Sequence, residues 1–186
     1  MITRHLKSLR EYIDVLTALG EVQPIDSEVD WNLEMGAITR RCYELQAPAP
    51  LFNTIKGIEK GFRALGAPAG LSRQPGLALA RIAISLGLEP EASGREIVEA
   101  LAAARKVEGI PPRVVATGPC KENKMIGDEV DLLRFPSPLP HDGDGGRYIN
   151  TYGIIIAQTP DKQWTSWSIA RVMLVDRNKM TGIVHP

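Results

Sequence analysis

The sequence predicts an α+β fold on three observations. Helical periodicities dominate residues 8–104, a β-hairpin occupies residues 150–176, and a glycine- and proline-rich passage between them carries neither period. With 44% hydrophobic residues in 186, the chain is long enough to bury a core as one domain, or as one domain and part of another.

The first helix is announced by Ser8-Leu9-Arg10-Glu11, a capping-box spacing in which each side chain satisfies the other's orphan N–H. Leu9, Tyr12, Ile13, Leu16 and Leu19 recur at helical intervals, and Gly20 suits the C′ position. Residues 21–26 read as a strand and turn. Asp30 is placed to cap a second helix with Trp31, Met35, Ile38, Cys42 and Leu45 along one side. Ala47-Pro48-Ala49-Pro50 stops that helix, and residues 51–55 before Gly57 read as a short strand. The glycines at 57, 61, 66, 70 and 76 mark a loop-rich stretch around the apolar residues 62–65, and they fit neither GxGxxG nor GxxxxGK[ST]. Residues 77–86 form a nearly all-apolar helix, deeply buried and ended by Gly87. Ser93-Gly94-Arg95-Glu96 repeats the capping box and opens a helix with Ile97, Ala100, Leu101 and Ala104 on one face.

After Pro111-Pro112 the composition changes, which sets a domain boundary there: 1–112 and 113–186. Residues 113–116 look like a strand and residues 121–124 like a solvated charged tract. Residues 130–140, with Pro136, Pro138 and Pro140, are expected to run extended across a surface. His141-Asp142-Gly143-Asp144-Gly145-Gly146 has oxygen and imidazole ligands but not the EF-hand spacing, so a plain glycine-rich turn is preferred to a metal loop.

Lys plus Arg balance Asp plus Glu at 22 each, so the net charge is zero and a nucleic acid or an anionic membrane is not a favoured partner. No apolar run approaches bilayer length and no apolar signal segment follows the N-terminus, so a cytoplasmic protein without a membrane span is expected. Cys42 and Cys120 have no metal-ligand spacing and are expected to be buried thiols.

The hairpin holds the candidate site. Two Ile- and Val-rich runs, 152–158 and 169–175, flank Thr159-Pro160-Asp161-Lys162, a turn in which Pro presets φ and Asp bonds its own backbone. Between the runs, Trp164, Thr165, Ser166, Trp167, Ser168 and Arg171 place polar groups on a strand that should fill a core. If buried, they need partners, and a bound anion or a flat polar ligand would supply them. The alternative is a half-exposed strand whose polar residues face water, and spacing alone favours it.

Three segments carry a resemblance. Thr117-Gly118-Pro119-Cys120-Lys121-Glu122-Asn123, Asp144-Gly145-Gly146-Arg147-Tyr148-Ile149-Asn150-Thr151-Tyr152-Gly153 and Trp167-Ser168-Ile169-Ala170-Arg171 resemble the N-terminal part of a UbiD-like decarboxylase, closest to the ferulic (phenylacrylic) acid decarboxylases. The likeness extends over the whole chain, through the Leu9-Arg10-Glu11 helix and Leu65-Gly66-Ala67-Pro68. It implies an N-terminal α/β domain followed by the first strands of a split β-barrel, flavin-reductase-like cofactor domain. It also implies non-oxidative decarboxylation of α,β-unsaturated or aromatic acids of the cinnamate or ferulate type, assisted by prenylated FMN with manganese and potassium ions. The family's orienting Arg falls on Arg171, and its cofactor strand on Ser166, Trp167, Ser168, Ile169, Ala170 and Arg171, with the Trp167 carbonyl a ligand for potassium. Implied partners are a small carboxylic acid, a flavin prenyltransferase that supplies the cofactor and, for a full-length chain, further copies of itself.

Two departures qualify this. Ser166 stands where the family carries an Asn that ligates the divalent ion, and its shorter hydroxyl makes a weaker metal position. The 186 residues also stop ahead of the region in which the family places its metal-binding His, its Glu ligand and its catalytic Glu pair, and His185 reads as a strand-end histidine rather than a substitute. A chain incomplete for catalysis, with an open core face and unpaired strand edges, is therefore expected. Against the decarboxylase reading stand a non-catalytic binding or oligomerisation module and a simple flavin-reductase-like barrel. Because 166 and 171 differ by an odd number, one ligand touching both side chains requires an irregularity, expected around residues 168–170.

Overall fold

The protein is described by a computed structural model, covering residues 5–111 and 113–183. Its helices are α1 (Leu9–Ala18), α2 (Glu34–Leu45), α3 (Ala80–Ser85) and α4 (Gly94–Ala104). Its strands are β1 (Val22–Ile25), β2 (Ala49–Phe52), β3 (Ala64–Leu65), β4 (Tyr148–Gln158), β5 (Thr165–Asp176) and β6 (Lys179–Gly182). They form two three-stranded sheets, β1-β2-β3 and β4-β5-β6, so the α+β reading holds. Two units interleave along the chain: the first is Met1–Pro24, Thr39–Leu51 and Leu65–Lys124, the second Ile25–Ile38, Phe52–Ala64 and Met125–Pro186.

In the first unit, the Ser8 hydroxyl accepts the Glu11 N–H at 3.2 Å, while the Glu11 carboxylate accepts from Lys7 N at 3.0 Å. A side-chain cap of this kind stabilises a helix by about 1 kcal/mol. Gly20 ends the helix with φ +71°, a conformation that glycine adopts without a Cβ penalty. α1 buries Tyr12, Ile13 and Leu16, and Tyr12 and Leu16 pack with Ala80 and Ile84 of α3. The capping box of α4 forms in both directions, with Ser93 N donating to Glu96 at 2.8 Å. Of the expected α4 stripe Ile97 is buried, against Ala83 and Leu88, whereas Leu101 is exposed.

α3 is buried as expected, but its largest fully buried side chain is a charged one. Arg81 Nε and Nη2 lie 2.9 and 2.8 Å from Glu21 Oε2, and the guanidinium also donates to the carbonyls of Ala67 and Ala47. Glu21 Oε1 accepts from Ser72 Oγ at 2.6 Å and from Gln74 Nε2.

Tyr12 sits beside this pair, its hydroxyl 2.7 Å from Pro68 O and 2.9 Å from Arg81 O. Burial pushes its pKa up from 10.0 to about 12, the nearby Arg81 charge opposing the shift and Glu21 adding to it. Because the folded value lies above the unfolded one, the associated stability is fully present below pH 10.0 and is lost as pH rises toward about 12. Tyr12→Phe is expected to remove an ionisation near pH 12 from the tyrosinate absorbance titration; an unchanged curve would contradict this.

The second unit packs Val29, Met35, Phe52 and Ile55 together, with Trp31 and Ile38 against them. Here three sequence expectations need correction. Asp30 does not cap α2: its carboxylate turns back to accept from Asn32 N at 2.9 Å, Leu33 takes φ +66°, and the helix begins at Glu34. Trp31 therefore lies outside the helix, and Asn32 forms a parallel bridge with Leu139 instead. The segment 130–140 is not extended throughout: a 3₁₀ turn at Leu132–Arg134 interrupts its start, after another at Gly127–Glu129, which a proline pattern cannot foretell. In the first unit, residues 113–116 form no strand: Val114 is 94% exposed, so its β-branched side chain has no sheet face to join. Cys42 is half-buried and Cys120 is exposed, so the expectation of two buried thiols fails at Cys120.

Candidate cofactor site

The hairpin forms around the predicted turn. Thr159 N donates to Trp164 O at 3.0 Å, Lys162 N to Thr159 O at 2.8 Å, and Gln163 N to the Asp161 carboxylate at 3.1 Å. β4 and β5 then pair antiparallel without interruption from Gln158↔Thr165 to Gly153↔Ala170.

This regular pairing overturns the expected irregularity at residues 168–170. Along β5 the side chains alternate: Ser166, Ser168 and Ala170 lie on the inner face, while Trp167, Ile169 and Arg171 are exposed on the other. Ser166 and Arg171 therefore point to opposite faces. The register shifts fall instead on β4, between Tyr148 and Asn150 and between Asn150 and Gly153, opposite residues 170–173.

The two faces nevertheless meet at an edge. β6 pairs with β5 only from Val172↔Gly182 to Asp176↔Lys179, so residues 165–171 of β5 have no second strand neighbour among the described residues. Alternate N–H and C=O groups of this stretch point to that open edge, freed from the ladder without a bulge. The expected open apolar face is also present: Ile154 pairs with Ile169 and Ile156 with Trp167, and all four side chains are more than half exposed.

Beside the edge lies a cleft of about 640 Å³, whose walls include Tyr148, Thr151, Tyr152, Ile169, Arg171 and Met173. The Arg171 guanidinium is 6.0 Å from the centre of the Tyr148 ring, within cation–π range. On the inner face Ser166 is buried, and the Ser168 hydroxyl is buried without a hydrogen-bond partner. An orphaned hydroxyl of this kind is a costly feature unless something outside the chain meets it.

The residues that hold the cleft in place come from the second long motif. Arg147 stacks 4.3 Å over Trp31 and donates to Ser137 O at 2.8 Å and Phe135 O at 3.1 Å, pinning the Pro-rich segment. Burial draws its pKa down, against the raising influence of Asp131. His141 and Asp144 close on each other across the glycine-rich turn, Nδ1 to carboxylate 3.3 Å. Among the described residues no group of three His, Cys, Asp or Glu side chains is gathered for a metal. His185 lies outside the described residues. The buried pair Glu21–Arg81 and the Asn150 amide were not anticipated; a charged residue in an otherwise apolar helix was the one available signal for the pair.

The chemistry so assembled is a cationic, aromatic-walled cleft next to an unpaired strand edge. A flavin fits it in kind: backbone donors and the Ser168 hydroxyl suit a phosphate, exposed ring and branched side chains suit a flat ring system, and Arg171 suits a carboxylate.

The chain has relatives among known proteins. Residues 13–101 match the 3-octaprenyl-4-hydroxybenzoate carboxy-lyase N-terminal domain, and residues 113–186 match the Rift-related domain of the same carboxy-lyases. The chain belongs to the UbiD family. It is 48% identical over 185 residues to the pyrrole-2-carboxylic acid decarboxylase of Pseudomonas aeruginosa, covering all of this chain and 37% of that protein. To ferulic acid decarboxylase 1 of Saccharomyces cerevisiae it is 44% identical over 178 residues, covering 94% of this chain and 35% of that one. The chain thus spans little more than a third of the length of these relatives. Among solved structures, the vanillic acid decarboxylase of Sedimentibacter hydroxybenzoicus in its open form matches with a TM-score of 0.80 and 26% identity, over 96% of this chain and 36% of that one. An evolved dimeric form of the UbiD-class enzyme HmfF from Pelotomaculum thermopropionicum, in complex with prFMN, matches with a TM-score of 0.74 and 26% identity, over 96% of this chain and 38% of that one. No helix among the described residues is long and apolar enough to cross a membrane.

Proposed function

We propose that this chain supplies one wall of the cofactor site of a prenylated-FMN-dependent, non-oxidative decarboxylase acting on α,β-unsaturated or aromatic carboxylic acids of the cinnamate or ferulate type. The observation that carries the reading is the placement of the orphaned Ser168 hydroxyl and the Arg171-bearing cleft along one stretch of β5, residues 165–171. In this reading residues 1–112 are an N-terminal domain and residues 113–186 begin a split-barrel, flavin-reductase-like domain, a division supported by the separate matches to 13–101 and 113–186.

Each residue of the strand then has a task. Ser168, with an adjacent backbone N–H that is not engaged by β4, would hold the cofactor phosphate; manganese would sit near Ser166, and the Trp167 carbonyl would take potassium. Arg171 is the catalytic residue of this segment, its guanidinium holding the substrate carboxylate and fixing its direction in the cleft. Tyr152, Trp167 and Ile169 exclude water from the ring system, which strengthens the Arg171 interaction. Prenylated FMN, when bound, supplies the electron sink for the pair released as carbon dioxide departs. A flavin prenyltransferase supplying the cofactor, a cytoplasmic setting and a homo-oligomer belong to the same reading, supported by family membership alone.

The test is to expose the full chain to reduced prenylated FMN, manganese and potassium and to measure cofactor uptake and carbon dioxide release from cinnamate, ferulate and pyrrole-2-carboxylate. Cofactor uptake is expected, with turnover once the remaining walls of the site are supplied; no uptake would leave the binding-module reading in its place. Ser166 is a neutral, short ligand, so manganese is expected to be lost on dialysis, and Ser166→Asn is expected to retain it longer. Equal retention by both proteins would refute a metal role for position 166.

A further inference from the structure

The backbone around Arg171 is closely approached at both of its flanking peptide groups, on one side by a side chain that ordinary sheet pairing does not require. On one side the Asn150 carboxamide crosses from β4 and donates Nδ2–H to Ala170 O at 3.1 Å, the carbonyl of the peptide that joins Ala170 to Arg171. It does so from between the two register shifts of β4. Gly153 makes this possible, because a Cβ there would collide with the Asn150 side chain. On the other side Gly182 of β6 packs against the next carbonyl: a Cβ on Gly182 would come within 2.7 Å of Arg171 O. β6 ends its pairing at this point, with Val172↔Gly182, directly before the open edge.

We propose that Asn150 and Gly182 are positioning residues for Arg171, clamping the peptides before and after it so that its guanidinium is presented to the cleft in one direction. An exposed arginine on a free strand end would otherwise sample many rotamers and a flexing backbone, and its orientation would have to be fixed at the moment of binding. A doubly shifted β4 places its extra residues opposite Ala170–Met173 and twists the strand locally, the usual effect of a bulge beside a site. Tyr148, at the far side of the same shifts, faces the guanidinium at 6.0 Å and completes the support. The inference rests on the reading of Arg171 as the carboxylate-holding residue, but its geometric part can be judged without it.

Asn150→Ala removes one clamp and Gly182→Ala forces the other apart. Gln158→Ala serves as the control, since it deletes a 3.2 Å side-chain bond to Thr165 at the opposite end of the same hairpin. Crystal structures of the three variants are compared at the Arg171–Tyr148 contact, and carbon dioxide release is measured on the cofactor-loaded full chains. The two clamp variants are expected to displace the guanidinium by about 1 Å or more and to lose on the order of tenfold in kcat/KM, while Gln158→Ala does neither. An unmoved guanidinium in both clamp variants overturns the proposal, as does an equal displacement in Gln158→Ala, which would signify general loosening of the hairpin. If Arg171→Ala keeps full activity, the reading of Arg171 fails, and the displacement alone decides whether the clamps exist.

Discussion

Arg81→Met is expected to destabilise the first unit by about 3–5 kcal/mol, the range for removing one partner of a buried ion pair. The side chains of Arg81 and Glu21 are 1% and 2% exposed, so the orphaned carboxylate could not reach water. Ser72 and Gln74 would still donate to it, but the lost guanidinium also leaves the carbonyls of Ala47 and Ala67 without that donor. Gly70 leaves no spare room, since a Cβ there would lie 2.7 Å from Arg81 Nη1. Arg81→Lys should recover only part of the loss, because a single ammonium cannot serve Glu21 and two carbonyls as a planar fork does. The double variant Arg81→Met, Glu21→Gln removes the buried charge altogether and is expected to be more stable than Arg81→Met alone. Urea unfolding checks the series. A double variant as unstable as the single one would mean that the carbonyl bonds, not the charge pairing, account for the cost.

Arg171→Ala is expected to lower turnover of the cofactor-loaded protein by about 10²- to 10³-fold, the effect of deleting one preorganised donor at a reacting group. Folding should be unaffected: the Arg171 side chain is exposed, lying over the Tyr148 ring. Arg171→Lys is not a conservative change, since it keeps the charge but loses the bidentate geometry for a carboxylate. Its activity should fall closer to that of Arg171→Ala than to the parent. Activity within a few-fold of the parent in Arg171→Ala would remove Arg171 from the site.

The elements legible in the sequence were those governed by local chemistry. Both Ser-x-x-Glu spacings open helices, Gly20 and Gly87 end them at positive φ, and Pro160 and Asp161 make the hairpin turn. Long-range partners were not legible. Arg81 reads as one polar interruption of an apolar helix, and nothing local shows that Glu21, at a distance of 60 residues, is waiting for it. Asp30 satisfied the rule for a helix cap, yet the bridge of Asn32 to Leu139 and the left-handed Leu33 delay the helix by several residues. The hairpin was foreseen and its irregularity misplaced. Strand parity required some device to unite Ser166 with Arg171, and a bulge in β5 was the local solution; the structure instead pairs β5 regularly and puts the register shifts on β4. Asn150 and Gly153 belonged to a motif known by resemblance, but their contact is an outcome of register.

The central claim is that residues 166–171 of β5 form one wall of a flavin site. A crystal structure of the full chain loaded with prenylated FMN, manganese and potassium tests it most directly. The account predicts the phosphate beside Ser168 and the free edge of β5, and the ring system in the cleft with Arg171. Cofactor density elsewhere, with no contact to residues 166–171, would contradict it.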